Sequence, residues 1–229
     1  ATKFPTFIMP EEDQVENIFT EQLAKLGVDY VDYYLLHNVQ TVLYDGLDGK
    51  GGVIQKSHLF DHLKGWKESG KAKHIGISFH SSPELLERVL KEHPEIEFVQ
   101  LAINYIDWES EFVRAKGCYE IARKYDKQII VMEPVKGGGL ANLPEKAEKV
   151  LKKAAPDKSV VSWAFRFLTS RLEGVITTLS GMSTPEQVQD NIHTMKEVTP
   201  LSEQEWEALD KVIRIYRDSA PVPTGTIEK

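Results

Sequence analysis

Short apolar segments alternate along the chain with longer segments in which apolar residues recur at helical spacing. The apolar segments lie near residues 1–4, 30–37, 74–78, 98–102, 128–133 and 174–179. They are continuous rather than alternating with polar residues, which is typical of parallel strands that helices cover on both faces. We therefore predict six strands in repeating β/α order and an α/β fold.

The segments between these strands have helical periodicity. Helices are predicted over residues 11–27, 54–69, 83–92, 111–125, 144–154, 159–168, 185–196 and 202–218. Gly27 ends the first of them and Gly70 follows the second, as glycine commonly does at helix C-termini. Residues 38–53 are predicted to form one long loop whose glycines favour mobility and which sets substrate specificity. Residues 221–229 are predicted to be irregular.

Two architectures fit this β/α order, an open doubly wound sheet and a (β/α)8 TIM barrel. The G-x-G-x-x-G fingerprint of a dinucleotide-binding first turn does not occur in the sequence. A count of six strands does not decide between the two, so both stay open at this point. No change of composition marks a linker, and residues 1–229 are predicted to form a single domain.

Composition excludes several classes of function. The 229 residues carry a formal net charge of −7, which disfavours nucleic acid or an anionic membrane as a partner. The single cysteine, Cys118, excludes an internal disulfide and an iron–sulfur cluster held by four thiolates of this chain. No apolar run approaches the roughly 20 residues of a membrane span. No signal-peptide pattern opens the sequence, so the cytoplasm is the expected compartment.

Polar residues close nearly every predicted strand. They are Lys3, His37 with Asn38, Ser78 with His80, Gln100 with Asn104, Glu133, and Ser180 with Gly181. Both architectures place their chemistry at the carboxyl ends of strands. The repetition of this pattern is more typical of a functional site than of packing.

His37 and Lys3 each allow two interpretations. His37 follows seven mostly apolar residues, so it either satisfies a backbone carbonyl or acts as a hydrogen-bond donor or general acid/base. Lys3 is either a surface lysine near the terminus or a buried lysine that perturbs a neighbouring group.

Metal and phosphate motifs are weak in this sequence. His58 and His62 have i, i+4 spacing but lack the glutamate of H-E-x-x-H, so a solvated helix face is favoured and no metal site is predicted. The segment Lys136 to Gly139 either cradles a phosphate with its backbone amides or forms a simple turn. Neither a G-x-x-x-x-G-K-[ST] loop nor a G-x-S-x-G elbow occurs.

Several segments together resemble the aldo-keto reductase family. Residues 30–37 resemble its catalytic-histidine strand, residues 70–78 the next strand, residues 100–104 the strand after that, and residues 181–191 the final cofactor-binding turn and helix. Residues 132–138 and 179–182 look most like a bacterial branch that often carries a C-terminal ferredoxin-like extension, which the single cysteine makes unexpected here. The resemblance implies a (β/α)8 barrel, NADP or NAD as cofactor, and hydride transfer to a small-molecule carbonyl substrate.

The resemblance also implies roles for individual residues. Lys3 and His37 match two members of the family's catalytic set of Asp, Tyr, Lys and His. The implied cofactor contacts are Ser78 and Gln100 around the nicotinamide, Glu133, Pro134, Val135, Lys136 and Gly137 along the pyrophosphate, Ser180 and Gly181 in the final turn, and Gln187, Asp190 and Asn191 at the adenosine end.

Three departures from the family pattern matter. The family's Asp and Tyr lie upstream of Lys3, so this sequence is expected to begin at the third strand and to be inactive, or nearly so, on its own. Phe79 stands where an asparagine usually helps to hold the carboxamide. Gly181 and Gln187 stand where NADPH-preferring relatives carry a lysine and an arginine, so NADP preference is in doubt and NAD is credible.

Two other functions stay open at this point. One is a regulatory module that binds the dinucleotide without turnover. The other is an unrelated barrel lyase or isomerase that uses Lys3 as a Schiff-base amine. Neither the substrate nor the oligomeric state can be predicted from these patterns.

Overall fold

The computed structural model describes residues 1–219, so the predicted irregular segment 221–229 lies outside the described residues. Its strands are β1 (Thr2–Pro5), β2 (Val31–Val39), β3 (Ala72–Phe79), β4 (Phe98–Ala102), β5 (Gln128–Met132) and β6 (Val175–Thr178). Their order in the sheet is their order in the sequence, and the pairs from β1 to β4 are parallel. The six predicted strands and the α/β class are confirmed. Because the order never reverses, the doubly wound alternative is wrong.

Ten α-helices occur in residues 1–219. They are α1 (Glu12–Leu26), α2 (Thr41–Asp45), α3 (Val53–Lys56), α4 (Leu59–Glu68), α5 (Pro83–Glu92), α6 (Ala115–Lys124), α7 (Glu145–Ala154), α8 (Ser162–Arg171), α9 (Pro185–Lys196) and α10 (Glu203–Ser219). None of them combines the length and the apolar character that crossing a membrane requires.

Two predicted helices differ from the structure for the same backbone reason. The helix predicted over residues 54–69 is divided into α3 and α4, because His58 between them has φ 47°. The helix predicted from residue 111 begins only at Ala115, because Arg114 has φ 54°. A residue in the left-handed region interrupts a right-handed helix. The side chains of histidine and arginine do not allow this backbone conformation to be predicted from the sequence.

The loop predicted over residues 38–53 is partly regular structure, so that prediction is wrong in its first half. Strand β2 continues through Val39, and α2 follows with Leu43 and Tyr44 buried. Gly52 is a position where only glycine fits, because a Cβ there would lie 2.2 Å from the Leu43 carbonyl oxygen.

The chain divides into two compact units. The first unit contains residues 1–101 and 117–130, and the second unit contains residues 102–116 and 131 onward. In the first unit, the Phe19 ring stacks on Trp66 with centroids 4.1 Å apart, and both contact Tyr34 of β2. In the second unit, Phe167 of α8 packs edge-on against Tyr105 and Trp108. The single-domain assignment stays a prediction.

Candidate functional site

One row of paired residues crosses the carboxyl ends of β1 to β4 in the first unit. Pro5 pairs with His37, His37 with Ser78, and Ser78 with Gln100. Paired residues on neighbouring parallel strands share one face of the sheet. The register therefore brings three predicted site residues from three strands side by side.

Lys3 lies on the same face of the sheet, two residues before Pro5 on β1. It pairs with Leu35, which precedes His37 by two residues and therefore points to the same side of β2. Burial lowers the pKa of the Lys3 ammonium. Lys3 is therefore better described as a half-buried cation on the face of the sheet than as an ordinary surface lysine.

A chain of polar groups runs through the buried part of the row. The Gln100 amide donates to the Ser78 hydroxyl at 3.5 Å, and the His80 Nε2 lies 3.4 Å from the same hydroxyl. Ser78 and Gln100 are both buried. Buried hydroxyl and amide groups of this kind offer directional contacts to a polar ligand.

His37 is half-buried, and its ring contacts Phe7 edge-on with centroids 5.7 Å apart. Burial, the positive charge of Lys3 and the nearby His80 all lower the pKa of the His37 imidazole. His37 is therefore neutral at pH 7 and presents one N–H donor and one acceptor nitrogen rather than a cation.

The backbone after His37 departs from regular strand geometry. The β2–β3 register shifts between His37 and Val39, and Asn38 has φ 84°. The buried hydroxyl of Thr6 donates to the carbonyls of His37 and Asn38. Such a bulge redirects side chains at the end of a strand. Sequence reasoning missed the role of Thr6, which no motif indicates.

The second unit contains a cavity of about 740 Å³. Of the ten cofactor residues predicted in this unit, nine line it: Glu133, Pro134, Val135, Gly137, Ser180, Gly181, Gln187, Asp190 and Asn191. They come from three segments that are far apart in the sequence. Apolar side chains, including Val161, Leu179 and Met182, complete the wall.

The tenth predicted residue, Lys136, contacts Asp107. The Lys136 ammonium lies 2.7 Å from both oxygens of that buried carboxylate. The loop around Lys136 is tightly turned, with positive φ at Glu133, Lys136, Gly137 and Gly138. Asn104 supports this loop by donating from its side-chain amide to the Glu133 carbonyl at 3.3 Å.

The first turn of α9 forms another wall of the cavity. Thr184 caps the helix by accepting from the Gln187 N–H, and the Gln187 side-chain oxygen accepts from the Ser183 N–H at 2.7 Å. One turn later, the Asn191 amide donates to the Ser180 hydroxyl at 3.0 Å. Predicted site residues of the final turn and of the helix thus hold each other in place.

The structure gives no support to a metal interpretation of the histidine pair. His58 lies at the break before α4, where it is exposed and lies 3.5 Å from Asp61. Residues 1–219 contain no group of three or more His, Cys, Asp or Glu side chains arranged to hold a metal ion.

Comparison with known proteins identifies the family. A model of the aldo/keto reductase family matches residues 9–214. The chain belongs to the aldo/keto reductase family. Among curated members, it is 30% identical over 115 residues to the NADPH-dependent alpha-keto amide reductase of Saccharomyces cerevisiae. That match covers 49% of this chain and only a third of the length of the yeast relative.

Solved aldo-keto reductases share the fold. The holo form of AKR11C1 from Bacillus halodurans superposes with a TM-score of 0.66 at 22% identity, covering 89% of this chain and 68% of that one. An aldo/keto reductase from Klebsiella pneumoniae in complex with NADP and acetate gives 0.66 at 16% identity, covering 99% of this chain and 70% of that one. The predicted (β/α)8 class is confirmed, with six of the eight strands of such a barrel in residues 1–219.

Proposed function

We propose that this aldo/keto reductase chain binds NAD or NADP and acts as an oxidoreductase that reduces an aldehyde or ketone. The observation that carries the proposal is the cavity of the second unit, where three separate segments bring nine of the ten predicted residues together. Its volume of about 740 Å³ is within the usual range for small-molecule sites.

The lining of this cavity suits a dinucleotide. Val135, Val161 and Leu179 offer apolar surface for a flat adenine ring, while Ser180 and Asp190 offer polar groups for ribose hydroxyls. The yeast relative is described as NADPH-dependent, and the Klebsiella relative is solved with NADP, which supports the same cofactor class.

In the first unit, we propose that Ser78 and Gln100 contact the nicotinamide carboxamide. Both can donate and accept hydrogen bonds from buried positions. His37, neutral at pH 7, is proposed to donate to the substrate carbonyl oxygen, and Lys3 to supply positive charge beside it. When bound, the cofactor supplies the hydride.

Cofactor binding is tested by titrating the 229-residue chain with NADH and with NADPH and following the fluorescence of its four tryptophans. We expect saturable quenching by at least one of the two. Ala141→Phe, which fills the cavity, should weaken that binding about tenfold or more, whereas Ala24→Phe on the exposed face of α1 should not. An absence of binding by both cofactors at millimolar concentration would overturn the proposal.

A further inference from the structure

The charge of the cavity in the second unit is unusual for a site that binds a polyanion. Its lining residues include two carboxylates, Glu133 and Asp190. Within the described part of the chain, no lysine or arginine is among them. NADP differs from NAD by a 2′-phosphate. In this cavity that phosphate would meet negative rather than positive side chains.

Two candidate cations of the second unit are already paired elsewhere. Lys136 is held by both oxygens of Asp107. Arg166 is buried and forms a bidentate salt bridge with Glu205, with N–O distances of 2.6 and 2.7 Å. Because breaking either pair would leave a charge without its partner, neither cation is readily available to a ligand.

Asp190 is suited to a hydroxyl and unsuited to a phosphate. One of its oxygens accepts from the Ser159 hydroxyl at 2.8 Å, which fixes the carboxylate at the cavity wall. A carboxylate only accepts hydrogen bonds, so a ribose hydroxyl can donate to it. A phosphate dianion offers no donor at neutral pH and is repelled by the like charge.

Gly181 also lines the cavity, and there is enough space at this position for a positively charged side chain. A Cβ at Gly181 would meet no atom within 4 Å, and the residue is not among those with positive φ. A long side chain can therefore be added there without strain. The side-chain oxygen of Gln187, which also lines the cavity, already accepts a hydrogen bond from the Ser183 N–H at the start of α9.

We infer that the cavity selects NAD(H) over NADP(H), with Asp190 as the residue that disfavours the 2′-phosphate and Gly181 as the position where a cation is lacking. This inference rests on the proposed dinucleotide binding and goes beyond it by choosing between the two cofactors.

The test is a pair of titrations of the 229-residue chain with NADH and NADPH at equal ionic strength, followed by tryptophan fluorescence. We expect NADH to bind about tenfold more tightly or better. NADPH binding as tightly as NADH, or more tightly, would overturn the inference and leave the proposed function intact. Binding of neither would overturn the proposed function, and this inference with it.

Variants test the two positions directly. Gly181→Lys should strengthen NADPH binding about tenfold relative to Gly181→Met, a side chain of similar length without charge, and this gain should shrink in high salt. Asp190→Asn keeps an acceptor for Ser159 and should narrow the NADH-to-NADPH ratio. If both variants fold, as circular dichroism reports, and neither changes the ratio, the inference is wrong.

Lys158 provides the remaining control. It lines a separate narrow cleft of about 40 Å³ that shares Asp190 with the main cavity. We expect Lys158→Ala to leave the ratio of the two affinities unchanged. A selective loss of NADPH binding in this variant would show that the cleft supplies the phosphate site, contrary to the inference.

Discussion

The Lys136 ammonium lies 2.7 Å from each carboxylate oxygen of Asp107. The Asp107 side chain is only 7% exposed, and the Asn104 amide donates to the same carboxylate at 2.9 Å. The pair joins the turn after β5 to the segment after β4, both within the second unit. It fixes the loop that forms one wall of the proposed cofactor cavity.

Replacement of Lys136 by methionine is expected to lower the free energy of unfolding by about 3 kcal/mol, because it leaves a buried carboxylate without its cation. Urea denaturation measures this. Lys149→Met is the matched control, since Lys149 and its partner Glu145 are exposed and such pairs contribute less than about 1 kcal/mol. Equal losses in the two variants would contradict a structural role for the Lys136–Asp107 pair.

A second buried pair anchors α8 to the start of α10. The Arg166 guanidinium donates to both oxygens of Glu205 and to the Thr199 carbonyl. The hydrogen bonds from Arg166 lower the pKa of Glu205 to about 2. Glu205→Gln should cost about 3 kcal/mol at pH 7, measured by urea denaturation, because the buried guanidinium loses its counter-charge.

This pair also predicts a pH dependence. The pKa of Glu205 is lower in the folded chain than in the unfolded chain, so its contribution is complete above the unfolded value of 4.5 and is lost as pH falls toward 2. Thermal unfolding between pH 5 and pH 2.5 should therefore show a smaller loss of stability in Glu205→Gln than in the wild type. An exposed control, Glu145→Gln, should follow the wild type.

The strands were predictable because burial on both faces makes them continuously apolar, as in Tyr34-Leu35-Leu36 of β2. The polar ends of those strands were also visible in the sequence, and the register brings His37, Ser78 and Gln100 side by side. Three separate segments of the second unit were each predicted from resemblance, and they meet in one cavity.

Other features could not be predicted because they depend on long-range contacts or on the backbone. The contact of Lys136 with Asp107 joins residues 29 positions apart that no motif connects, while the place of Lys136 beside the pyrophosphate stays a prediction. The positive φ of His58, which divides a predicted helix, has no side-chain signature. Thr6 is a short polar residue in an apolar segment, and only the structure shows it bonding to the end of β2.

Gly76 of β3 lies at a position that has no space for a larger side chain. A Cβ there would lie 2.5 Å from the Phe98 ring of the neighbouring strand, in the same row of the sheet as Lys3 and Leu35. Gly76→Ala is therefore expected to destabilise the fold by about 1–3 kcal/mol through overpacking, as urea denaturation would show.

The control for this variant is Gly65→Ala in α4, where a Cβ meets no atom within 4 Å. Because alanine is the better helix former, that change should raise stability by roughly 0.5–1 kcal/mol. Adding Phe98→Leu to Gly76→Ala should recover part of the loss by making room. If Gly76→Ala were neutral, the close contact with Phe98 would not constrain β3.

His93 gives the first unit a stability that depends on pH near neutrality. Its ring stacks on Phe60 with centroids 3.6 Å apart, and its Nε2 lies 3.2 Å from the Tyr44 hydroxyl, which itself donates to Glu92. Burial lowers the pKa of His93 despite the opposing charges of Glu95, Glu92 and Asp61. The folded chain therefore binds the proton less readily than the unfolded chain does.

The sign of the effect follows from this difference. Stability is complete above the unfolded pKa of 6.5 and decreases as pH falls below it, by at most about 1.4 kcal/mol per pH unit for one group. His93→Phe keeps the stacked ring and should flatten the free energy of unfolding between pH 6.5 and 5. His37, whose pKa is also lowered, should leave a residual slope. The exposed His193→Phe serves as control, and an unchanged slope in His93→Phe would refute the assignment.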